Sequence, residues 1–143
     1  MLDVLVKVPL YQSFRRYGFP KMLPLNLTIS VTYRCNSRCR TCNVWRKRVR
    51  ELTAEEWERV FLSLGRSPYW LTFSGGEPLL RADIVDIVSS AYAHCRPAII
   101  NIPTNGLRPD LIVQRIEAII RGCPQSRIIV NLSLDGLGRQ HDE

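Results

Sequence analysis

Three of the five cysteines fall within eight residues of one another. The segment Thr32-Tyr33-Arg34-Cys35-Asn36-Ser37-Arg38-Cys39-Arg40-Thr41-Cys42 has the spacing C-x3-C-x2-C, whereas Cys95 and Cys123 stand apart. Five is an odd number and nothing marks secretion, so a disulfide framework is a poor account of them. Thiols this close converge on one point if the chain loops around it, as a metal ion or an iron–sulfur cluster requires. Structural zinc would need a remote fourth ligand from His94, His141 or another cysteine. A site with three fixed thiolates more naturally describes a cluster with one open iron.

Three further polar segments carry chemistry. Gly75 and Gly76, between Ser74 and Glu77-Pro78, read as a glycine turn opening from a strand, with backbone left bare of side chains. Glu77 reads as a structural group that closes this turn through backbone hydrogen bonds rather than as a base. In Thr104-Asn105-Gly106, Asn105 suits either a left-handed turn or an amide directed at a ligand. In Ser133-Leu134-Asp135-Gly136, strand alternation points Ser133 and Asp135 one way and Leu134 the other. A hydroxyl and a carboxylate on one face suit ligand hydroxyl or ammonium groups. Each segment also has a plain reading as a turn. His94 and Cys95 end an amphipathic helix and Cys123 follows Gly122, so these three read as packing or surface residues.

The elements that must position these groups alternate regularly. Residues 25–32 alternate apolar and small polar side chains, a strand that delivers the cysteines. Thr53 and Glu56 form a capping box, and Trp57, Val60, Phe61 and Leu64 stripe the helix that Gly65 ends. Tyr69 to Phe73 is a second strand, and Ile84, Ile87, Val88 and Ala91 give the next helix its buried face. Ala98 to Ile102 is a third strand terminated by Pro103-Thr104-Asn105-Gly106, and Ile112, Ile116, Ile119 and Ile120 stripe a third helix. Arg127 to Leu134 is a fourth strand, with Ile128-Ile129-Val130 apolar on both faces as a sheet covered on two sides requires. This β-α-β-α-β-α-β order predicts a parallel sheet whose carboxyl ends share one mouth. Residues 1–24 form an N-terminal extension in which Val4, Val6, Val8 and Leu10 alternate like a strand and Phe14 to Tyr17 suit a short helix.

The cysteine spacing, Gly75-Gly76-Glu77-Pro78, Thr104-Asn105-Gly106 and Ser133-Leu134-Asp135-Gly136, in that order, resemble the radical S-adenosylmethionine (radical SAM) superfamily. The resemblance covers residues 25–143 and implies the first four strands of a partial (β/α)6 TIM-like barrel, truncated at the C-terminus. It implies that Cys35, Cys39 and Cys42 hold three irons of a 4Fe–4S cluster whose fourth iron is chelated by SAM. Gly75, Gly76 and Glu77 then meet the SAM amino group, Asn105 lies near the cofactor, and Ser133 and Asp135 face its ribose and methionine. His141 and Asp142 resemble the family's "HD" beyond the fourth strand. Reductive cleavage of SAM would yield a 5′-deoxyadenosyl radical that takes hydrogen from a substrate. A low-potential donor such as ferredoxin or flavodoxin and a reducing cytoplasm follow from the same resemblance. No residue stands out as a substrate base. The chain departs from the family at Thr41, where many relatives have an aromatic residue near adenine, and in ending before a fifth and sixth strand. An exposed fourth strand would make the chain prone to association.

Composition is compatible with this. The chain of 143 residues is 45% hydrophobic and 23% charged, which excludes wholesale disorder. No apolar run approaches the ~20 residues of a membrane span. Twenty Lys and Arg against thirteen Asp and Glu give +7, and the excess is local. Arg34, Arg38, Arg40, Arg46, Lys47, Arg48 and Arg50 share one acid-free stretch, and the rest balances at thirteen against thirteen. Such charge favours a nearby anionic cluster. Two other classes use the same residues: a zinc-binding nucleic-acid module with the arginines on phosphates, and a non-catalytic iron–sulfur fragment.

Overall fold

The alternating segments become four parallel strands. In the computed structural model, which describes residues 2–134, β1 (Asn26–Thr32), β2 (Trp70–Gly75), β3 (Ile99–Thr104) and β4 (Arg127–Leu132) form one sheet in the order β1-β2-β3-β4. Helices α2 (Ala54–Leu64), α3 (Ile84–Cys95) and α4 (Pro109–Gly122) connect successive strands, and α1 (Leu2–Tyr17) precedes them. Each pair is parallel, with Thr28 opposite Thr72, Thr72 opposite Asn101 and Asn101 opposite Ile129. Among the described residues the sheet is open, with β1 and β4 at its edges. No helix among them is long and apolar enough to cross a membrane.

One face of the sheet makes the core. Ile29 and Val31, Leu71 and Phe73, and Ile100 and Ile102 occupy alternate positions and are buried, as period-two geometry requires of residues on a common side. They meet Trp57 and Phe61 of α2, the Ile84, Ile87, Val88 and Ala91 stripe of α3, and Ile119 of α4. Phe61 stacks on Trp57 at 5.8 Å and meets the edge of Phe73 at 6.4 Å. Side chains of this size each contribute about 1.5–3 kcal/mol when fully buried. The capping box forms as expected: Thr53 Oγ1 accepts from Glu56 N at 3.3 Å, and Thr53 N donates to Glu56 Oε2 at 2.9 Å.

Four expectations are corrected. Val4 to Leu10 is helical, since α1 runs through it with Pro9 inside. A solitary strand would leave its backbone unpaired, whereas a helix satisfies its own. The third strand does not end at Ile102 before the Pro103-Thr104-Asn105-Gly106 segment, since β3 continues through Pro103 to Thr104. Ile99 N donates to Tyr69 O on the β2 side and Ser133 N to Thr104 O on the β4 side, so alternation turns the Pro103 nitrogen towards β2. There pairing has already ended at Asn101, and no ladder bond is lost.

The apolar-on-both-faces reading of β4 also fails, because Val130 is 40% exposed on an edge strand. The face opposite the core is polar in the middle of the sheet. Asn131 Nδ2 donates to Asn101 Oδ1 at 2.7 Å, and Asn101 Nδ2 and Trp70 Nε1 both donate to Thr72 Oγ1, at 3.3 and 3.1 Å. Ile120 leaves the α4 stripe and is 51% exposed, while Ile112 and Ile116 are partly buried against the core.

Candidate cofactor site at the carboxyl ends of the strands

The cysteine loop leaves β1 and is pinned at both ends. Glu51, the first acidic residue after Asp3, sits where the loop returns. Its Oε1 accepts from Thr32 Oγ1 at 2.7 Å and from Tyr33 N at 2.8 Å. Arg81 adds a second tie: its Nη1 donates to Val31 O and its Nη2 to Leu52 O, while Nε pairs with Asp83 at 2.7 Å. That guanidinium holds the Asp83 carboxyl below the ordinary carboxylate range. Residues 33–50 thus leave and rejoin the fold at one point.

The glycine turn packs directly on the loop entrance. Gly76 N donates to Thr32 O and Glu77 N to Arg34 O, both at 2.8 Å. A Cβ at Gly75 would lie 2.1 Å from Thr32 O, and one at Gly76 would lie 2.1 Å from Arg34 O. Gly75 also has φ +128°, a conformation that disfavours a side chain. Glycine is therefore required for backbone-on-backbone contact with the cysteine loop, a reason the sequence did not disclose.

Glu77 closes the turn, as expected, and also reaches β3. It is 3% exposed; Oε1 accepts from Leu79 N at 3.2 Å and Thr104 Oγ1 at 3.0 Å, and Oε2 accepts from Asn105 N at 2.7 Å. Asn105 extends the chain of contacts to the cysteines. Its Nδ2 donates to Asn36 Oδ1 at 2.8 Å and lies 3.8 Å from Cys35 Sγ, while its Oδ1 accepts from Leu107 N at 3.0 Å. The ends of β1, β2 and β3 are joined into one polar platform around Cys35.

The three loop cysteines are free thiols, Cys35 half-buried and Cys39 and Cys42 exposed. Ser37 stands between two of them: its N donates to Cys35 Sγ at 3.4 Å and its Oγ lies 3.1 Å from Cys39 Sγ. Among the described residues no three His, Cys, Asp or Glu side chains are gathered as a ready metal-holding group. The donor set nevertheless fits iron–sulfur ligation: three soft thiols share one tethered loop with no carboxylate or imidazole between them. Ser133 N donates to Thr104 O at 2.9 Å and the residue is exposed, beside the platform. Asp135, with Gly136, His141 and Asp142, lies outside the described residues.

The cysteines read as packing residues are that. Cys95 and Cys123 are each 1% exposed, and burial pushes both thiols up to about 11. With His94, whose Nε2 lies 3.1 Å from Glu58 Oε1, they sit at the ends of α3 and α4 that lead into the strand starts, away from the cysteine loop. The remote fourth ligand that zinc would need is not brought to the loop by these residues.

Glu51, Arg81, Thr32 and Thr104 are the site-shaping residues that sequence reasoning missed. The one signal was their position: Glu51 interrupts a long acid-free stretch, and Arg81 follows the glycine turn by five residues.

A parallel βα sheet with a three-cysteine loop on β1 and a glycine turn on β2 has an explicit counterpart among known proteins. The family model described as the radical SAM superfamily matches residues 29–142, and the chain belongs to that superfamily. It is similar to a protein of Archaeoglobus fulgidus named probable GTP 3′,8-cyclase, at 37% identity over 117 residues. That match covers 78% of this chain and 36% of the archaeal protein, so the chain spans about a third of the relative's length.

Proposed function

We propose that this chain is the amino-terminal part of a radical SAM enzyme, with Cys35, Cys39 and Cys42 as ligands of a 4Fe–4S cluster. The observation that carries the reading is the convergence of β1, β2 and β3 on Cys35 through Gly76, Glu77 and Asn105. A 4Fe–4S cluster held by Cys35, Cys39 and Cys42, with SAM on its open iron, would supply one-electron reductive cleavage of the sulfonium and, through it, hydrogen abstraction from a substrate. The chain's own residues have distinct tasks. Glu51 and Arg81 hold the loop ends together, and the Gly75-Gly76 backbone offers carbonyls at the loop entrance for the SAM amino group. Glu77 and Asn105 spend their side chains on the protein, so their contribution to the cofactor is to fix that turn and Cys35. Ser133 and Asp135 are proposed to meet the SAM ribose and methionine from the end of β4. A low-potential electron donor and a reducing cytoplasm complete the proposal.

The test is anaerobic reconstitution with iron and sulfide, then electron paramagnetic resonance of the reduced protein with and without SAM. A cluster signal that changes on adding SAM, together with 5′-deoxyadenosine formation, is the expected result. One bound zinc and no cluster would move the assignment to a zinc module. A cluster signal indifferent to SAM would leave a non-catalytic iron–sulfur protein. The name of the archaeal relative makes GTP the first substrate to offer in these assays.

A further inference from the structure

One cation stands where the pattern of α4 calls for an apolar residue. Ile112, Ile116 and Ile119 turn α4 towards the core, and Arg115 falls on the same side of the helix, three residues after Ile112 and four before Ile119. It is half-buried, and burial pushes its pKa below the ordinary guanidinium value while Asp83 acts the other way. It forms no ion pair among the described residues. A charge withdrawn from water must be met by acceptors. Here they are main-chain carbonyls: Arg115 Nη1 donates to both Leu79 O and Arg81 O.

Those carbonyls belong to the stem that carries both halves of the polar platform. Residues 77–81 form one tight turn after the glycines, in which Leu80 N and Arg81 N donate back to Glu77 O and Pro78 O, each at 3.1 Å. From one end of the turn Glu77 reaches Thr104 and Asn105. From the other, Arg81 reaches Val31 O and Leu52 O, where the cysteine loop leaves and rejoins the fold. A single turn is too short to be held rigid by its own hydrogen bonds. Arg115 gives it an outside anchor on α4, whose Ile119 is fully buried in the core. Ile84 N shares Arg81 O at 3.3 Å, so the guanidinium sits where the turn, α3 and α4 meet. An apolar side chain at this position would fill the space and leave the carbonyls facing it without that donor.

We infer that Arg115 is a positioning residue for the cysteine loop: by holding the carbonyls of Leu79 and Arg81 it fixes the stem from which Arg81 clamps the ends of residues 33–50 and Glu77 orients Asn105 beside Cys35. Its role in cluster assembly rests on the proposed function, whereas the placement of Cys35 is measurable with no metal bound.

The experiment compares iodoacetamide alkylation rates at each cysteine of the metal-free full chain, resolved by mass spectrometry. Cys35 reports on the loop, while Cys95 and Cys123, each 1% exposed, report on the core, Cys123 standing immediately after α4. Arg115→Met keeps the side-chain length and removes the donors, so Cys35 should react roughly fivefold faster or more with Cys95 and Cys123 unchanged. Because both bonds leave one nitrogen, the ammonium of Arg115→Lys can replace them and should restore the Cys35 rate to within about twofold. Ile116→Ala loosens packing of the same helix and should leave Cys35 as it is. An unchanged Cys35 rate in Arg115→Met, an equal rise at Cys35, Cys95 and Cys123, failure of lysine to rescue, or the same rise in Ile116→Ala would each overturn the inference. Should Arg115→Met not fold, Arg115→Gln, which retains one amide donor group, is judged by the same criteria. After reconstitution, Arg115→Met should hold less iron than Arg115→Lys. A wild-type chain that takes up no cluster would refute the proposed function, while the alkylation rates would still decide the placement of Cys35, so the two fail separately.

Discussion

At the scale of single residues, the platform rests on buried groups that already hold several hydrogen bonds within the protein. Glu77 accepts three hydrogen bonds while almost wholly buried, and its Oε2 serves Asn105 N at 2.7 Å. Glu77→Gln would keep one oxygen but turn an amide N–H₂ against that backbone donor, so a loss of about 2 kcal/mol is expected in urea denaturation. The cysteines separate by role: Cys39→Ala should abolish iron uptake on reconstitution, whereas Cys123→Ala should retain it, and equal iron loss in both would overturn the ligand assignment. Burial of Cys95 and Cys123 gives a pH signature. Their thiols are pushed from 9.0 to about 11, so the folded state holds protons that the unfolded state has released. The contribution of these two thiols to stability should be constant below pH 9 and fall as pH rises from 9 to 11, and Cys95→Ala with Cys123→Ala should flatten that slope. Residue identity was legible where a motif is local, as with the cysteine spacing and Gly75-Gly76. Glu51 and Arg81 were not legible, because their partners are Thr32, Val31 and Leu52, chosen by the fold rather than by neighbouring sequence.

Elements were read well wherever capping and periodicity agreed. For α2, the Thr53 and Glu56 pair and the Trp57-Phe61 stripe mark both start and buried face, and the helix begins at Ala54. Thr53→Ala should cost about 1 kcal/mol, measured as a lowered thermal midpoint. Because α2 begins just after Glu51, the same change should loosen the return of the cysteine loop; unaltered protease sensitivity of residues 33–50 would contradict this. The errors share a cause. In α1, alternating valines satisfied a strand pattern with no neighbouring strand to pair with. At Pro103, the missing donor faces a side where pairing has already ceased. Both outcomes depend on which strand lies alongside, a fact absent from any local window.

For the molecule as a whole, the polar and basic features gather at one end of a sheet whose outer strand is open. Leu132 is 63% exposed on β4, an edge among the described residues. Leu132→Lys should reduce self-association in sedimentation velocity, and unchanged association would place the contact elsewhere. Charge, by contrast, was legible in full from composition, since the acid-free stretch and the exposed basic loop are the same residues. The bare contact between the glycine turn and the loop entrance has a consequence for energetics. Gly75 and Gly76 lie in direct backbone contact with Thr32 and Arg34, so a ligand lodged against the turn, as proposed, would bear on the backbone leading to Cys35. The two occupancies proposed above should then be thermodynamically linked. By reciprocity, whatever factor metal loading at Cys35 lends to a ligand on the turn, that ligand returns in full to the retention of metal.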